Sequence, residues 1–462
     1  MVAVLRIRDF RLIVSGQLLS SLGDWLLLVA APFFVFRLTG STLATGLSMA
    51  VETVPALLLG PVAGVLADRW DRRRTMLAAD LLRAATVALM LLVHHPGQVW
   101  LIYVALLVES SFGQFFNPSQ QALVPALVGR GDQLGAANSL VALVSGTVRL
   151  LGGPAGGALY ALAGFAPVVG LDAGSYLASA GLIAAVGFRP SKAASAAASG
   201  SVAPIRAEGS PWRRFAGELW DGAAQVRATA GLTPLLASAA VMLVGNAVLT
   251  ALLVPYIGNV LHAGASALGW LFGALGAGFL LGAPLSRAVS ARIGDRTVAV
   301  GSLLVLSLTF ALAFNVHDAA WDLPLFALIG PPAVCFLVMV STFVARSTPD
   351  RLLGRVSSFY GVVQAAATLF GMLVGAALGQ RFGTGVTIDL AAVTVALAAT
   401  VALAVPRHGA APAPVTDLPT PRALDTRDSR DSRDSRDAVG SADDAHLGQG
   451  AGLGHQFVDP VG

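Results

Sequence analysis

The sequence predicts an all-α polytopic membrane protein, with twelve transmembrane helices in two pseudo-symmetric six-helix bundles. Three observations carry this expectation. Of 462 residues, 55% are hydrophobic and 12% charged, with a mean hydropathy of +0.72, where soluble domains carry about 25% charge. Twelve apolar stretches are each long enough to cross about 30 Å of hydrocarbon at about 1.5 Å per residue. The two halves of the chain also resemble each other weakly in register: Gly23-Asp24 meets Gly245-Asn246 and Gly60 meets Gly282 at an offset of 222. At an offset of 219, Gly135 meets Gly354, Ser139 meets Ser358, Gly152 meets Gly371 and Gly156 meets Gly375.

The spans fall near residues 12–36, 42–67, 76–93, 99–121, 136–160 and 166–188, then 235–258, 266–289, 297–314, 322–345, 356–380 and 384–405. They are continuous and rich in Ala, Leu, Val and Gly, unlike the ten-residue alternations of a β-barrel. The domains are thus an N-terminal bundle (1–188), a linker (189–233), a C-terminal bundle (234–405) and a tail (406–462). The linker begins Ala/Ser/Gly/Pro-rich. It then places Trp212, Phe215, Leu219, Ala223 and Val226 at helical spacing opposite Arg213, Arg214, Glu218, Asp221 and Arg227, as an interfacial amphipathic helix would. The tail, with Arg-Asp-Ser repeated from Arg427 to Ser435, is expected to be disordered.

Basic residues cluster before the first span and in the loops after the even-numbered spans, while the opposite loops hold only Arg37 and Arg381. By the positive-inside rule both termini are cytoplasmic and the first span is a retained anchor. Composition also excludes chemistry. Cys335 is the single cysteine, so neither a disulfide nor a cysteine zinc site can form. The lone lysine, Lys192, lacks a glycine-rich phosphate loop, and the histidines do not gather into a metal site.

Small residues four apart let helices approach closely in lipid. They occur as Gly60/Gly64 in span 2, Gly152/Gly156 and Gly153/Gly157 in span 5, Gly278/Gly282 in span 8 and Gly371/Gly375 in span 11. Spans 2 and 8 are repeat mates, as are 5 and 11, and the set suits a sliding interface between two rocking bundles. Asp68, at the cytoplasmic end of span 2, can face the positive N-terminal end of span 11 and latch the halves together.

The run Gly60-Pro-Val-Ala-Gly64-Val-Leu-Ala-Asp68-Arg69-Trp-Asp-Arg72-Arg73-Arg74 resembles the loop 2/3 signature of the major facilitator superfamily, G-x-x-x-D-R-x-G-R-R, with Asp71 where glycine is usual. Ser20-Ser-Leu-Gly-Asp24, Phe116-Asn-Pro-Ser-Gln-Gln-Ala-Leu-Val-Pro125 and Arg149-Leu-Leu-Gly-Gly-Pro-Ala-Gly-Gly157 point the same way. The last is similar to the antiporter signature, with Arg149 in place of its first glycine. The resemblance covers the chain up to the tail and is to drug:proton antiporters, in the branch of enterobactin exporters and macrolide efflux proteins. It implies that Gly64, Asp68, Arg69, Arg72 and Arg73 form a conformational latch that stabilises the outward-facing state.

Ionisable groups at mid-membrane are costly and therefore functional candidates. Asp24, Glu52, Glu109 and Arg149 lie near the centres of their spans, about 10 to 15 Å from the outer boundary at about 1.5 Å per residue. Polar stripes continue from them: Gln17 and Ser21 with Asp24, Asn117 and Gln120 with Glu109, Ser145 with Arg149. The second half offers Asn246, Thr250 and Gln364 at corresponding depth. Because spans 4 and 5 are consecutive, Arg149 is the expected counter-ion of Glu109. A carboxylate without a cation binds a proton more readily, so Asp24 or Glu52 is the expected proton carrier. Asp80, Arg83, Asp172 and Asp389 are placed nearer the span ends.

These residues lead to the expectation of a secondary active exporter of a moderately hydrophobic small molecule, such as a drug, macrolide or siderophore, working by proton antiport with alternating access. An uncoupled carrier or a lipid transporter on the same fold is the alternative. An enzyme is not expected, since no extramembrane segment carries a catalytic constellation. The chain is expected to act as a monomer in the cell membrane, with substrate, protons and lipid as partners, no nucleic acid and no cofactor beyond the proton gradient.

Overall fold

The computed structural model describes residues 4–60, 63, 70–129, 131–187, 211–290, 292–316 and 319–406. Among them every regular element is helical. The first half contains α1 (Arg8–Thr39), α2 (Thr42–Leu58), α3 (Arg72–Ala88), α4 (Val99–Val128), α5 (Asp132–Ala163) and α6 (Phe165–Ala184). A linker helix, α7 (Pro211–Ala228), precedes α8 (Leu232–Asn259), α9 (Ala265–Ser290), α10 (Asp295–Asn315), α11 (Ala319–Ser347), α12 (Asp350–Phe382) and α13 (Thr384–Ala402). Eleven of these helical segments are long and apolar enough to cross a membrane. The twelfth expected span is represented by α2, with 17 residues. Helical bonding continues past its end, because the Ala63 amide donates to the Leu59 carbonyl at 2.8 Å.

The packing repeats between halves. In the first, α1 packs on α5 and α6, and α3 on α4 and α6; in the second, α8 packs on α12 and α13, and α10 on α11 and α13. The turns repeat as well: Gly164 alone joins α5 to α6 and Gly383 alone joins α12 to α13, at φ of 81° and 88°. That left-handed region disfavours any residue with a Cβ, and the two glycines keep the 219-residue offset read from the sequence. On the outside the usual burial pattern is inverted, as lipid requires. Leu304, Leu308 and Leu312 make an exposed stripe on α10, and Val386, Leu390, Val393 and Leu397 make one on α13.

Two seams join the halves, α5 against α9 and α2 against α12. In the first, a Cβ on Gly153 would lie 2.9 Å from Phe272, and one on Gly157 would strike the Ala265 carbonyl. In the second, the Gln380 side-chain oxygen accepts from the Ser41 hydroxyl at 3.2 Å and the Leu43 amide at 3.3 Å. All these contacts lie toward the end where Gly40, Gly164 and Gly383 turn the chain. At the opposite, basic end the same helices separate: a Cβ on Gly135 or Gly146 of α5, or on Gly354 or Gly361 of α12, would meet nothing within 4 Å. The bundle is closed at one end and open at the other.

The glycine pairs divide by role. Gly153 and Gly157 serve the seam between halves as expected. Gly278 and Gly282 instead pack on Ala327 and Pro331 of α11, and Gly371 and Gly375 on Val244 and Val248 of α8, all within the second half. Gly60 has only the Gln114 side chain of α4 nearby, at 3.6 Å from an added Cβ. The repeat therefore duplicates close helix approaches, only some of which can slide between bundles. The linker helix docks on α12, with Gly222 against the Arg355 carbonyl and Asp221 paired with Arg355 at 3.0 Å. Residues 189–210 and the tail from 407 lie outside the described residues.

These locations separate two kinds of glycine replacement. Gly157→Val should spring the closed end, since overpacking costs about 1–3 kcal/mol, and raise labelling of a Gln380→Cys reporter by an impermeant maleimide in a Cys335→Ala background. Gly278→Val meets the Ala327 carbonyl inside one half, so it should lower the melting temperature and leave that labelling unchanged.

Candidate functional site

Helical spacing assembles a buried charged cluster in the first half. Asp80 and Arg83 share a face of α3 at i, i+3, and Asp172 and Tyr176 share a face of α6 at i, i+4. Asp24 of α1 and Glu109 of α4 complete the group. The Arg83 Nη2 lies 2.8 Å from Glu109 Oε1 and 3.4 Å from Asp24 Oδ1, while its Nη1 lies 3.9 Å from Asp80. The guanidinium stacks 4.2 Å above the Tyr176 ring, a favourable cation–π geometry. Gly113 of α4 lies against it, where an added Cβ would sit in ordinary contact 3.8 Å from Nη2.

The Tyr176 hydroxyl contacts Asp24 Oδ1 and also Glu109 Oε1, the latter at 2.8 Å. A phenol has one proton. It can donate to only one of the two carboxyls, so a second proton from the carboxyl side is needed to make the other contact a hydrogen bond. The cluster opens onto a cavity of about 340 Å³ lined by Asp24, Trp25, Glu52, Glu109 and Asn117, among others. The Asp24 side chain is 37% exposed, against 13% for Glu109 and 9% for Arg83. Glu52 faces Asp24 and Glu109 across this space and forms no ion pair among the described residues.

The structure brings together three of the four expected mid-membrane charges. Arg149 is the exception and the expected pairing with Glu109 is not formed. Its guanidinium lies 6.0 Å from the Trp25 ring and 5.7 Å from the Phe279 ring of the other half, and Arg83 takes its place beside Glu109. Asp80, Arg83 and Asp172, expected near span ends, are instead buried in the bundle. Asp389 does sit near an end, accepting from Asn315 at 2.8 Å.

Of the expected cavity residues, Asn117 lines the acid cavity, and Gln120 donates to Gln17 at 2.7 Å. Ser21 is half-buried on α1, Ser145 is exposed on α5 and Asn246 on α8, where the Thr250 hydroxyl donates to the Asn246 carbonyl at 2.9 Å. Gln364 is half-buried on α12. Gly64, Asp68 and Arg69 of the expected latch lie outside the described residues. Arg72 and Arg73 work within the first half: Arg72 donates to the Ala122 carbonyl of α4 at 3.1 Å, and Arg73 to the Ile183 carbonyl near the end of α6 at 3.1 Å. A cation at a helix C-terminus satisfies orphan carbonyls and complements the dipole.

Two related six-helix units, closed at one end over a cavity with a buried arginine and acids, define a carrier of the major facilitator type. The chain belongs to the Transmembrane secretion effector family, whose model matches residues 1–430. It is similar to the multidrug efflux pump Tap of Mycolicibacterium fortuitum, with 27% identity over 86% of this chain and 95% of Tap. A match to the MFS-type transporter YfiS of Bacillus subtilis (strain 168) is 32% identical but spans 36% of this chain and only 40% of the length of YfiS. In fold it is similar to a bacterial homologue of the iron transporter ferroportin, crystallised in an inward-facing state. That likeness has a TM-score of 0.66 and 18% identity, covering 86% of this chain and 98% of the other.

The geometry sets the two arginines apart in a measurable way. Arg83→Ala leaves the Glu109 carboxylate buried without its cation, a defect worth about 3–5 kcal/mol, and should cut the yield and melting temperature of the purified protein. Arg149→Ala removes only stacking and should leave both near the parent values.

Proposed function

We propose that the protein is a secondary active exporter of a moderately hydrophobic small molecule, driven by proton antiport through alternating access. The observation that carries the reading is the two-sided contact of the Tyr176 hydroxyl with Asp24 and Glu109. Glu109 holds the shorter contact to Arg83, so Asp24 is the carboxyl that carries the extra proton, and it is also the one most open to the cavity. Glu52, without a cation across the same cavity, is the second carrier. An exchanger needs a group whose charge state alters the balance between conformations. Protonating or deprotonating Asp24 changes the charge facing Arg83, and so the tie of α1 to α3 through that pair and the packing of α1 against α4 and α6.

The similarity to a multidrug efflux pump over nearly its whole length supports outward transport of an apolar drug-like molecule. The cavity supports it too, since leucines and Trp25 share its lining with the acids. The concentration of arginines at the open end supports placement in the cell membrane with both termini cytoplasmic, and hence an inward-open conformation here.

Reconstituted transport under an imposed pH gradient tests the mechanism. Asp24→Asn should abolish uphill export and retain downhill exchange, with Glu52→Gln weakening coupling in the same direction. Parental accumulation by both variants would show that neither acid carries the coupled proton, while a parent that accumulates nothing under the gradient would favour an uncoupled carrier. Topology is checked separately by reporter fusions: one after Arg407 should report cytoplasm, and reporters at Arg37 and His94 the outside. Cytoplasmic signal at both of the latter would overturn the orientation.

A further inference from the structure

Behind Arg83, on the side away from the cavity, two more carboxyls play no part in the exchange described so far. The side chains of Asp80 and Asp172 are fully buried, and none of their four oxygens makes a well-formed hydrogen bond among the described residues. Asp172 sits one helical turn before Tyr176 and is pressed against α1 at Gly23, where a Cβ would collide with its Oδ1. The nearby Ser175 hydroxyl is already committed to the Asp172 backbone carbonyl at 2.7 Å. Asp80 lies beside the Ser179 hydroxyl, itself fully buried and without a well-formed bond.

The charges facing this pair are Asp24 from α1, Arg83 from α3 and Glu109 from α4, with the Tyr176 phenol from α6, while Glu52 of α2 faces Asp24 and Glu109 from across the cavity. Four carboxyls thus surround one guanidinium, whose short contacts go to Glu109 and Asp24. A buried carboxylate without its own cation costs several kcal/mol, whereas the neutral acid costs no more than a buried hydroxyl and can donate its proton. Ser179 supplies an unclaimed acceptor beside Asp80.

We propose that Asp80 and Asp172 form an inner proton-holding layer, loaded as neutral acids in this conformation, which exchanges protons with Asp24 through the Tyr176 hydroxyl. The step is a proton relay. Asp24 gives up its proton to the cavity, the Tyr176 hydroxyl passes its own proton to Asp24, and Asp172, one helical turn away and not hydrogen-bonded to the tyrosine in this conformation, reprotonates the tyrosine oxygen once the two come within reach. The carboxylate left at Asp172 draws Arg83 inward, toward Asp80 and away from Glu109. This proposal rests on the proton-antiport reading for its role in transport, but not for the protonation it asserts.

Infrared difference spectra of the full chain in liposomes, between neutral and alkaline buffer, test the protonation without substrate. The parent should show the carbonyl band of protonated carboxylic acids at neutral pH, reduced in Asp80→Asn and in Asp172→Asn. A parent without the band, or a band untouched by both substitutions, overturns the inner layer whatever transport shows. Accumulation of ethidium in the same liposomes under an imposed pH gradient tests the relay. Each exchanged proton supports about tenfold accumulation per pH unit, so Asp172→Asn should lower it about tenfold and keep downhill exchange. Asparagine has the shape of the neutral acid and preserves any packing role, so parental accumulation by Asp172→Asn overturns the relay. If the parent itself accumulates no ethidium under the gradient, antiport of that probe fails, and the infrared band still decides the inner layer.

Discussion

One guanidinium holds the first half together. Arg83 sits between α1, α4 and α6, nearly buried at the edge of the acid cavity, and every helix that meets it offers it an oxygen or a ring. The arrangement is responsive because the contacts of Arg83 are unevenly spread: Nη2 serves both Glu109 and Asp24, while Nε has no hydrogen-bond partner among the described residues. A low-dielectric network strengthens every contact that is made and penalises every one that is missed. Moving one proton therefore redistributes the contacts of Arg83 among several helices at once. A guanidinium suits this position better than an ammonium would, because its planar fork serves several acceptors while its face rests on Tyr176.

The second half shows what the same framework is without that cluster. It repeats the helix contacts and the single-glycine turns, but where the first half has Asp24 it has Asn246. Its interior is closed by apolar and aromatic packing instead, as in the edge-on contacts of Phe314 with Tyr256 and Phe326. The duplicated fold thus carries two different interiors, one charged and one greasy. The seams between them lie at one end of the molecule. Glycine matters most there because backbone-to-backbone contact leaves no side chain to rearrange.

Much of this was legible in the sequence. Hydropathy and span length locate the helices to within a few residues, and the offset of 219 that aligns Gly152 with Gly371 also aligns the turn glycines. Asp24, Glu52 and Glu109 stand out because each interrupts a long apolar run. Arg83 takes the place expected for Arg149 for a physical reason: chain order gives α4 two consecutive neighbours, and α4 packs on α3 far more closely than on α5. Arg83 itself was hidden by a boundary effect. The arginines at 72 to 74 drew attention to the start of α3 and made the next charges along it look peripheral, although Arg83 lies about 16 Å further along the helix axis. The i, i+3 spacing of Asp80 and Arg83 and the i, i+4 spacing of Asp172 and Tyr176 were the available signals. The roles of the glycine pairs could not be read at all, since small residues look alike whether they face their own bundle or the other.

Arg149, removed from the role the sequence suggested, has a different consequence. Its charge rests between an indole from one half and a phenyl ring from the other, and both rings are within reach only while the α5–α9 seam is shut. Arg149 is exposed, and a cation–π contact at such a site is worth about 0.5–1 kcal/mol. When the seam parts, the guanidinium keeps at most one of its two rings. The residue therefore behaves as a detent, giving the molecule a preferred resting position and setting a threshold that a bound cargo must overcome before the carrier turns over.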